Sequence, residues 1–462
     1  MGLSKPSIVV IPGDGIGPDV VAATLAILKA ANANLDWVIC EAGEELFKRG
    51  VSTGVPASTL AEIHRHGLVL KGPLTTPVGY GERSANVFLR KTFGLYANIR
   101  PVKQYPNIPS LFSDIPIDLV VIRENTEDLY AGIEYDHQPG VAQSIKLISQ
   151  LGCDTINAFA FEYAKKTRRA SLHCATKANI LKQTEGMMKT SFEAMAKSYP
   201  SVQAHHMIID NCAHQLVVNP SQFDMIVTTN MNGDIISDLT SGLVGGLGIA
   251  PSANIGPDVA MFEAVHGAAP DIAGKNKANP TAMILSAVMM LRYMNQSPVA
   301  DTIEQALAVT FDEAIFTGDL DATNGVSTTE FTDAVIRNLG QSLASFIPSS
   351  FAPIEMPKIH AKPVQTGMCY GVDVIIMSDT PYDQLQASLN TIAKNNGCQS
   401  VELYNRGHLI TASPTPPLIP QWYCRFKYET KDESAALSGL MADIEANYDW
   451  VSVEKLMRFN EV

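Results

Sequence analysis

The sequence predicts an α/β fold through about residue 345, followed by a separate α+β module built in ferredoxin-like order. Three observations carry this. Short apolar runs alternate with amphipathic helical stretches over the first 345 residues, the pattern of strands covered by helices. A stretch punctuated by Pro348, Pro353, Pro357 and Pro363 then breaks the alternation. Beyond it the chain reads strand, helix, strand, strand, helix, strand, the order of a split βαβ unit.

Taken in order, Ser7–Ile11 is the first strand, and helix Asp19–Ala31 follows it. Between them, Gly13, Gly15 and Gly17 read as a tight strand-to-helix turn; their spacing alone is a weak dinucleotide signal. Further strands are expected at Leu68–Leu70, Leu119–Ile122, Ser171–Ala175 and Met225–Thr229. Ser84 is an expected N-cap for a helix running to about Phe93. After the proline-bearing stretch, strands are expected at Val372–Met377, Ser400–Asn405, Trp422–Tyr428 and Trp450–Met457. Helices are expected at Tyr382–Lys394 and Glu433–Asn447, with a proline-rich loop from Pro414 to Pro420.

Composition bounds the function. With 462 residues, 46% apolar and 18% charged, the chain has enough material for two or three cores. A net charge of −13 argues against nucleic acid or an anionic membrane surface as partner. No run of about 18 apolar residues occurs, and the N-terminus lacks a targeting pattern. The seven cysteines (Cys40, Cys153, Cys174, Cys212, Cys369, Cys398 and Cys424) have no C-x-x-C spacing and read as reduced thiols of a cytoplasmic protein. His205, His206, Cys212 and His214 do not have the spacing of a zinc ligand set.

The chemistry gathers at a few sites. In Asn230-Met231-Asn232-Gly233-Asp234-Ile235-Ile236-Ser237-Asp238, two carboxylates four apart share one helix face. Two anions so close suit a divalent cation, and hard oxygen ligands favour Mg²⁺ or Mn²⁺ over zinc. Asp210, at the end of Met207-Ile208-Ile209, is a third candidate ligand. Asn86 and Arg90 fall on one face of the helix after Ser84. Arg123 ends the apolar run Ile117 to Ile122, where strand ends of α/β folds place their sites. With Arg100 it completes three guanidiniums, which bind carboxylates in bidentate forks and so suit a small polyanion.

The motifs Ile11-Pro12-Gly13-Asp14-Gly15-Ile16-Gly17-Pro18, Ser84-x-Asn86-x-x-x-Arg90, Arg123-Glu124-Asn125-Thr126-Glu127-Asp128-Leu129-Tyr130 and Asn232-Gly233-Asp234-Ile235-Ile236-Ser237-Asp238 come in that order. Gly245-Gly246-Leu247-Gly248-Ile249-Ala250-Pro251 and Glu263-Ala264-Val265-His266-Gly267 follow. Together they resemble the β-decarboxylating dehydrogenases, the isocitrate/isopropylmalate family, over residues from about 6 to 345. The resemblance implies a large domain (1–95 and 245–345) and a small domain (96–244), with the site in the cleft between them. It also implies a dimer clasp near 131–156. Residues 346–368 are then a linker and 369–462 the C-terminal module, whose expected role is oligomer contact, with a small-ligand regulatory module as the rival. Polar Ser84 and Asn86 favour a tricarboxylate, hence the isocitrate branch. Homoisocitrate, 3-isopropylmalate and tartrate, or a non-catalytic regulatory subunit, are the alternatives.

Further roles follow from the same resemblance. Lys177 would be the base, with Asp210 beside it, and Tyr130 the proton donor to the enolate carbon. Thr76, Ser84, Asn86, Arg90, Arg100, Arg123 and Asn179 would bind isocitrate; Asp210, Asp234 and Asp238 would hold the metal. Lys177, Asn179 and Asp210 would reach the site from the neighbouring subunit of a homodimer. Thr75, Glu263, His266, Gly267, Ala268, Asp271, Ile272 and Asn279 would meet the nucleotide. An aspartate at 271 accepts from a ribose 2′-hydroxyl and repels a 2′-phosphate, so NAD⁺ is expected.

Overall fold

The computed structural model describes residues 5–76, 84–351, 353–411, 418–428 and 433–459. Pro77, Arg83 and most of the Pro414–Pro420 loop lie outside these. The chain divides into two compact units: residues 1–133 with 145–361, and residues 134–144 with 362–462.

The first unit is built on one ten-stranded sheet. In chain order its strands are β1 (Ser7–Ile11), β2 (Asp36–Ile39), β3 (Leu68–Lys71), β4 (Ala97–Lys103) and β5 (Asp118–Glu124). After a separate hairpin, β6 (Glu134–Gln138) and β7 (Val141–Ser144), come β8 (Ser171–Thr176), β9 (Gln203–Ile208), β10 (Met225–Thr228), β11 (Pro251–Ile255) and β12 (Ala260–Ala264). The spatial order is β2-β1-β3-β12-β11-β4-β5-β10-β8-β9. Its flanks are parallel; β4 and β11 run antiparallel to each other and to their outer neighbours. Strands such as Ile8–Ile11 and Leu119–Ile122 are apolar throughout because helices cover both faces. The helix Thr281–Tyr293 is buried from Thr281 to Arg292, and Gln150–Thr167 packs behind β5, β8 and β10. The seam between β11 and β4 is where residues of the expected large and small domains meet, so both share one continuous sheet.

Two boundaries differ from those expected. Phe346 stacks on Tyr105 at 5.2 Å between ring centres, and Phe351 is buried in the main core, so the expected linker is fixed to the first unit through residue 361. Prolines marked this stretch as a break in the sequence pattern, but its two phenylalanines anchor it. The hairpin is also shorter than the 131–156 segment expected, because Ser149 caps the next helix by accepting from the Gly152 amide.

In the second unit, β13 (Met368–Met377), β14 (Cys398–Asn405), β15 (His408–Leu409), β16 (Gln421–Tyr428) and β17 (Asp449–Arg458) form an antiparallel sheet ordered β15-β14-β16-β13-β17. The four long strands have the ferredoxin-like order. Leu385, Leu389 and Ile392 from one helix, with Leu440 and Ile444 from the other, pack over Val372, Val374, Ile376, Trp422, Cys424 and Phe426. The mid-chain hairpin joins this unit through a Gln421 Nε2–His137 Nδ1 contact of 2.6 Å and a Tyr423 hydroxyl donating to Gln143 at 3.2 Å.

Candidate active site

The turn after β1 ties the walls of the site together. The Asp14 amide donates to Pro73 O at 2.7 Å, and the Ile16 amide to Ala268 O at 2.8 Å. Gly15 sits at φ +55° so close to Ala268 that a Cβ there would lie 1.9 Å from its carbonyl oxygen, and only glycine fits. The Asp14 carboxylate accepts from the amides of Thr75 and Glu44. These bonds hold the loop after β3 and the loop after β12 on either side of a cleft of about 410 Å³. Thr75, Thr76, Asn86, Arg90, Arg100, Glu263, His266, Gly267 and Ala268, all expected from the sequence, line it.

The floor is a built charge cluster. Buried Lys71 bonds Glu263 at 2.6 Å and donates to Asn86 and to Gly72 O, each at 2.9 Å. Arg90 pairs with the other Glu263 oxygen at 2.9 Å, where Asn254 also donates at 2.8 Å. Glu263, expected on the nucleotide side, thus spends both oxygens on these partners. Burial opposes its charge, but Lys71 and Arg90 outweigh that and hold its carboxyl well below the ordinary value. Thr76 and Ser84 hydroxyls meet at 3.0 Å.

Deeper along β4 and β5 sit the other two arginines. Arg100 donates to Asn98 at 2.7 Å and to Ser237 at 2.5 Å, and lies 3.3 Å from Asp234 and 3.6 Å from Asp238. Arg123 donates to Asn230 at 3.1 and 2.8 Å and pairs with Asp234, whose other oxygen accepts from the Tyr130 hydroxyl. Gly233 lets the helix Asn230–Val244 pass over the Arg123 side chain, since a Cβ there would sit 2.6 Å from Arg123 Cγ. Burial pushes Arg123 down, and so do Arg100 and Arg90. Burial alone would raise Asp234, yet Arg123 and Arg100 keep it low; Asp238, farther from them, is raised by burial. Burial and the bond to Asp234 raise the Tyr130 phenol, so it keeps its proton.

A second group lies apart. Lys177 follows β8 and pairs with Asp210, in the first turn of the helix Ile209–Val218, at 2.8 Å. Asn179 is exposed beside them. Within one chain Asp210 does not join Asp234 and Asp238: among the described residues no group of three or more His, Cys, Asp or Glu side chains is placed to hold a metal ion. His205 instead stacks on His173 at 4.9 Å, and His206 bonds Thr176 at 2.9 Å.

On the nucleotide side, burial lowers the His266 imidazole, whose Nε2 is buried without a hydrogen-bond partner among the described residues. Asp271 is exposed and Ile272 leans on the core. Asn279 is turned inward, donating to Asp319 at 3.0 Å and accepting from the Thr281 amide at 3.0 Å. Lys71 was missed by the sequence reading, although it ends β3 as Arg123 follows the apolar run of β5; its neighbours Gly72-Pro73 gave no charge pattern to flag it.

A profile described as isocitrate/isopropylmalate dehydrogenase matches residues 7–335, and one described as the C-terminal domain of bacterial isocitrate dehydrogenase matches 368–462. The NADP-named isocitrate dehydrogenase of Thermus thermophilus is 48% identical over 98% of this chain and 93% of its own length. That of Rickettsia felis, also NADP-named, is 37% identical over 97% and 96%. A mitochondrial protein of Dictyostelium discoideum, named as a regulatory component of NAD-named isocitrate dehydrogenase, is 44% identical over 73% of this chain and 92% of its own. A crystal structure of a Thermus thermophilus protein superposes with a TM-score of 0.95 at 47% identity, covering 99% of this chain and 95% of that one. No helix among the described residues is long and apolar enough to cross a membrane. With a charge cluster of this design and both halves of the chain matched, the protein belongs to the isocitrate/isopropylmalate dehydrogenase family, in the long bacterial form of isocitrate dehydrogenase.

Proposed function

We propose that the chain converts isocitrate to 2-oxoglutarate and CO₂ with reduction of NAD⁺, using Mg²⁺ or Mn²⁺, as a cytoplasmic homodimer with two shared sites. The observation that supports it most is a cleft lined by Arg90 and Arg100, where Arg100 also meets Asp234 and Asp238, and Asp234 in turn bonds Arg123 and Tyr130. The guanidiniums match a tricarboxylate, and removing an acceptor from a ligand that satisfies them costs on the order of 10⁴-fold in discrimination.

Asp234 and Asp238 offer hard carboxylate oxygens one helical turn apart, which fits Mg²⁺ or Mn²⁺, and Asp210 of a second subunit would complete the set. When bound, the metal supplies Lewis-acid stabilisation of negative charge on substrate oxygens. Lys177, beside Asp210, would in its neutral form take the substrate hydroxyl's proton as a hydride passes to bound NAD⁺. Tyr130, held protonated, returns a proton to the carbon after CO₂ departs. Within one chain Asp210 does not join Asp234 and Asp238, which supports a dimer that unites them. Exposed Ile180 (65%), Val218 (62%) and Ile235 (60%) on the same elements supply apolar surface for it.

The nucleotide choice rests on Asp271, an exposed acid suited to a ribose 2′-hydroxyl. The Thermus thermophilus and Rickettsia felis relatives, which match 98% and 97% of this chain, carry NADP in their names, so the choice is tested directly. Absorbance at the reduced nicotinamide band, with isocitrate and each nucleotide, with and without Mg²⁺, is expected to show metal-dependent turnover favouring NAD⁺. Turnover with NADP⁺ alone overturns the nucleotide choice. Absence of turnover directs the assay to homoisocitrate, 3-isopropylmalate and tartrate, and failure there to the regulatory-subunit reading.

A further inference from the structure

Behind the two groups of catalytic residues lies a buried charge network that the proposed chemistry does not use. Lys146, 15% exposed, is bonded to two carboxylates that are completely buried: Asp128 at 2.5 Å and Glu185 at 2.9 Å. Between them the two acids reach both half-sites. Glu185 accepts from the backbone amide of Lys177 at 2.8 Å, and from Thr229 at 3.0 Å and Asn232 at 3.4 Å. Asp128 accepts from the Leu129 amide at 2.8 Å, at the start of the short turn that carries Tyr130, and from the Met231 amide at 3.0 Å. Met231 lies in the first turn of the helix that bears Asp234 and Asp238.

Asp128 also holds its backbone at φ +66°, unusual for a residue with a side chain. Such a conformation persists only where its surroundings fix it, and here they do. Its amide donates to Leu147 O at 2.8 Å, and its carboxylate is locked by Lys146. One ammonium therefore offsets both buried charges and fixes two loops with different tasks.

We propose that Lys146 is a positioning residue that holds the Lys177 loop and the Tyr130–Asp234 group in fixed relation. This rests on the shared-site reading above. In a dimer whose sites combine Lys177 of one chain with Tyr130 of the other, each Lys146 supports a part of both sites. Damage in one chain then reaches two catalytic centres. Arg90 is anchored separately, on Glu263, so its part in substrate capture does not depend on Lys146.

The test is Lys146→Met in the full chain, with Glu185→Gln as a second variant should the first fail to fold. A folded variant is expected to lose kcat by about 10²-fold, the scale of an ångström of misplacement, while KM for isocitrate stays within about threefold. A folded variant with kcat within about twofold of the parent overturns the proposal, as does a loss confined to KM. Lys177→Ala and Tyr130→Phe are measured beside it: if they keep full turnover, the reading of the site itself has failed. Hybrid dimers of differently tagged parent and Lys146→Met chains are expected to work at far below half the parent rate. A hybrid at half the rate shows that each Lys146 serves one site and overturns the two-site bracing.

Discussion

The cleft cluster and the Lys177–Asp210 pair are made from the same residue types but finished to different degrees. In the cleft, Lys71, Arg90, Arg100 and Arg123 each have a carboxylate or amide partner, and Glu263 is almost wholly buried. At the other group, Asp210 is 67% exposed in its side chain and, among the described residues, meets Lys177 and its own helix start. A cluster whose charges are already matched is organised before ligand arrives; an exposed ion pair is worth little by itself. The contrast teaches that the chain carries a preorganised charge cluster and an exposed pair that the proposed dimer would cover.

The sharpest way to break that contrast is to separate the halves. Lys177→Ala and Tyr130→Phe are each expected to lower kcat by about 10²–10⁴-fold. Mixing the two proteins under exchange of chains should restore about a quarter of parental activity, because half the dimers then carry one intact site. No recovery in steady-state assays of a verified hybrid would mean that Lys177 acts within its own chain. Next in size, Arg123→Gln is expected to cost about 2–5 kcal/mol in kcat/KM, the cost of truncating one side of a buried charge pair.

The prediction for Glu263 concerns stability and pH. Breaking a buried pair costs about 3–5 kcal/mol, so Glu263→Gln should move the urea midpoint down markedly at neutral pH. The Glu263 carboxyl is held below its ordinary value of 4.5 in the folded chain. Its contribution is therefore complete above that value and is lost as pH falls through the lower folded one. The gap between variant and parent should narrow at acid pH; a gap unchanged down to the acid limit would contradict the assignment. The smallest expected effect is at the nucleotide edge. Asp271→Asn should raise NADP⁺ use relative to NAD⁺ by about tenfold, by relieving repulsion of the 2′-phosphate, in paired kcat/KM measurements.

Much of this was legible because the physics was local. β1 has the bounds read from its apolar run, and β3, β5, β8 and β10 start and stop within two residues of theirs. The motif residues gave the cleft because strand ends and helix starts place their side chains by rule. What escaped depended on distant partners. β4 and β11 carry Pro101, Asn98 and Asn254 and show no strand periodicity; they hold together by pairing across 156 residues, with the Asn98 amide donating to Asn254 at 2.6 Å. Lys71 reads as an ordinary lysine until Glu263 arrives from β12 beneath it. The proline-bearing stretch read as a linker, and the anchor of Ser349 on Glu304, at 2.7 and 2.9 Å, lies in no local pattern.

The hairpin β6–β7 carries a consequence for synthesis. The strand whose side chains it meets, β16, follows in the chain by 284 residues at the His137–Gln421 contact. At roughly 5–20 residues per second, the ribosome leaves the hairpin without that partner for about 15 to 60 seconds, long enough for everything between them to fold first. A two-stranded hairpin is marginal alone. The last hundred residues therefore supply contacts to an element laid down in the first third of the chain, and a nascent chain stalled before β16 would leave His137 and Gln143 without them.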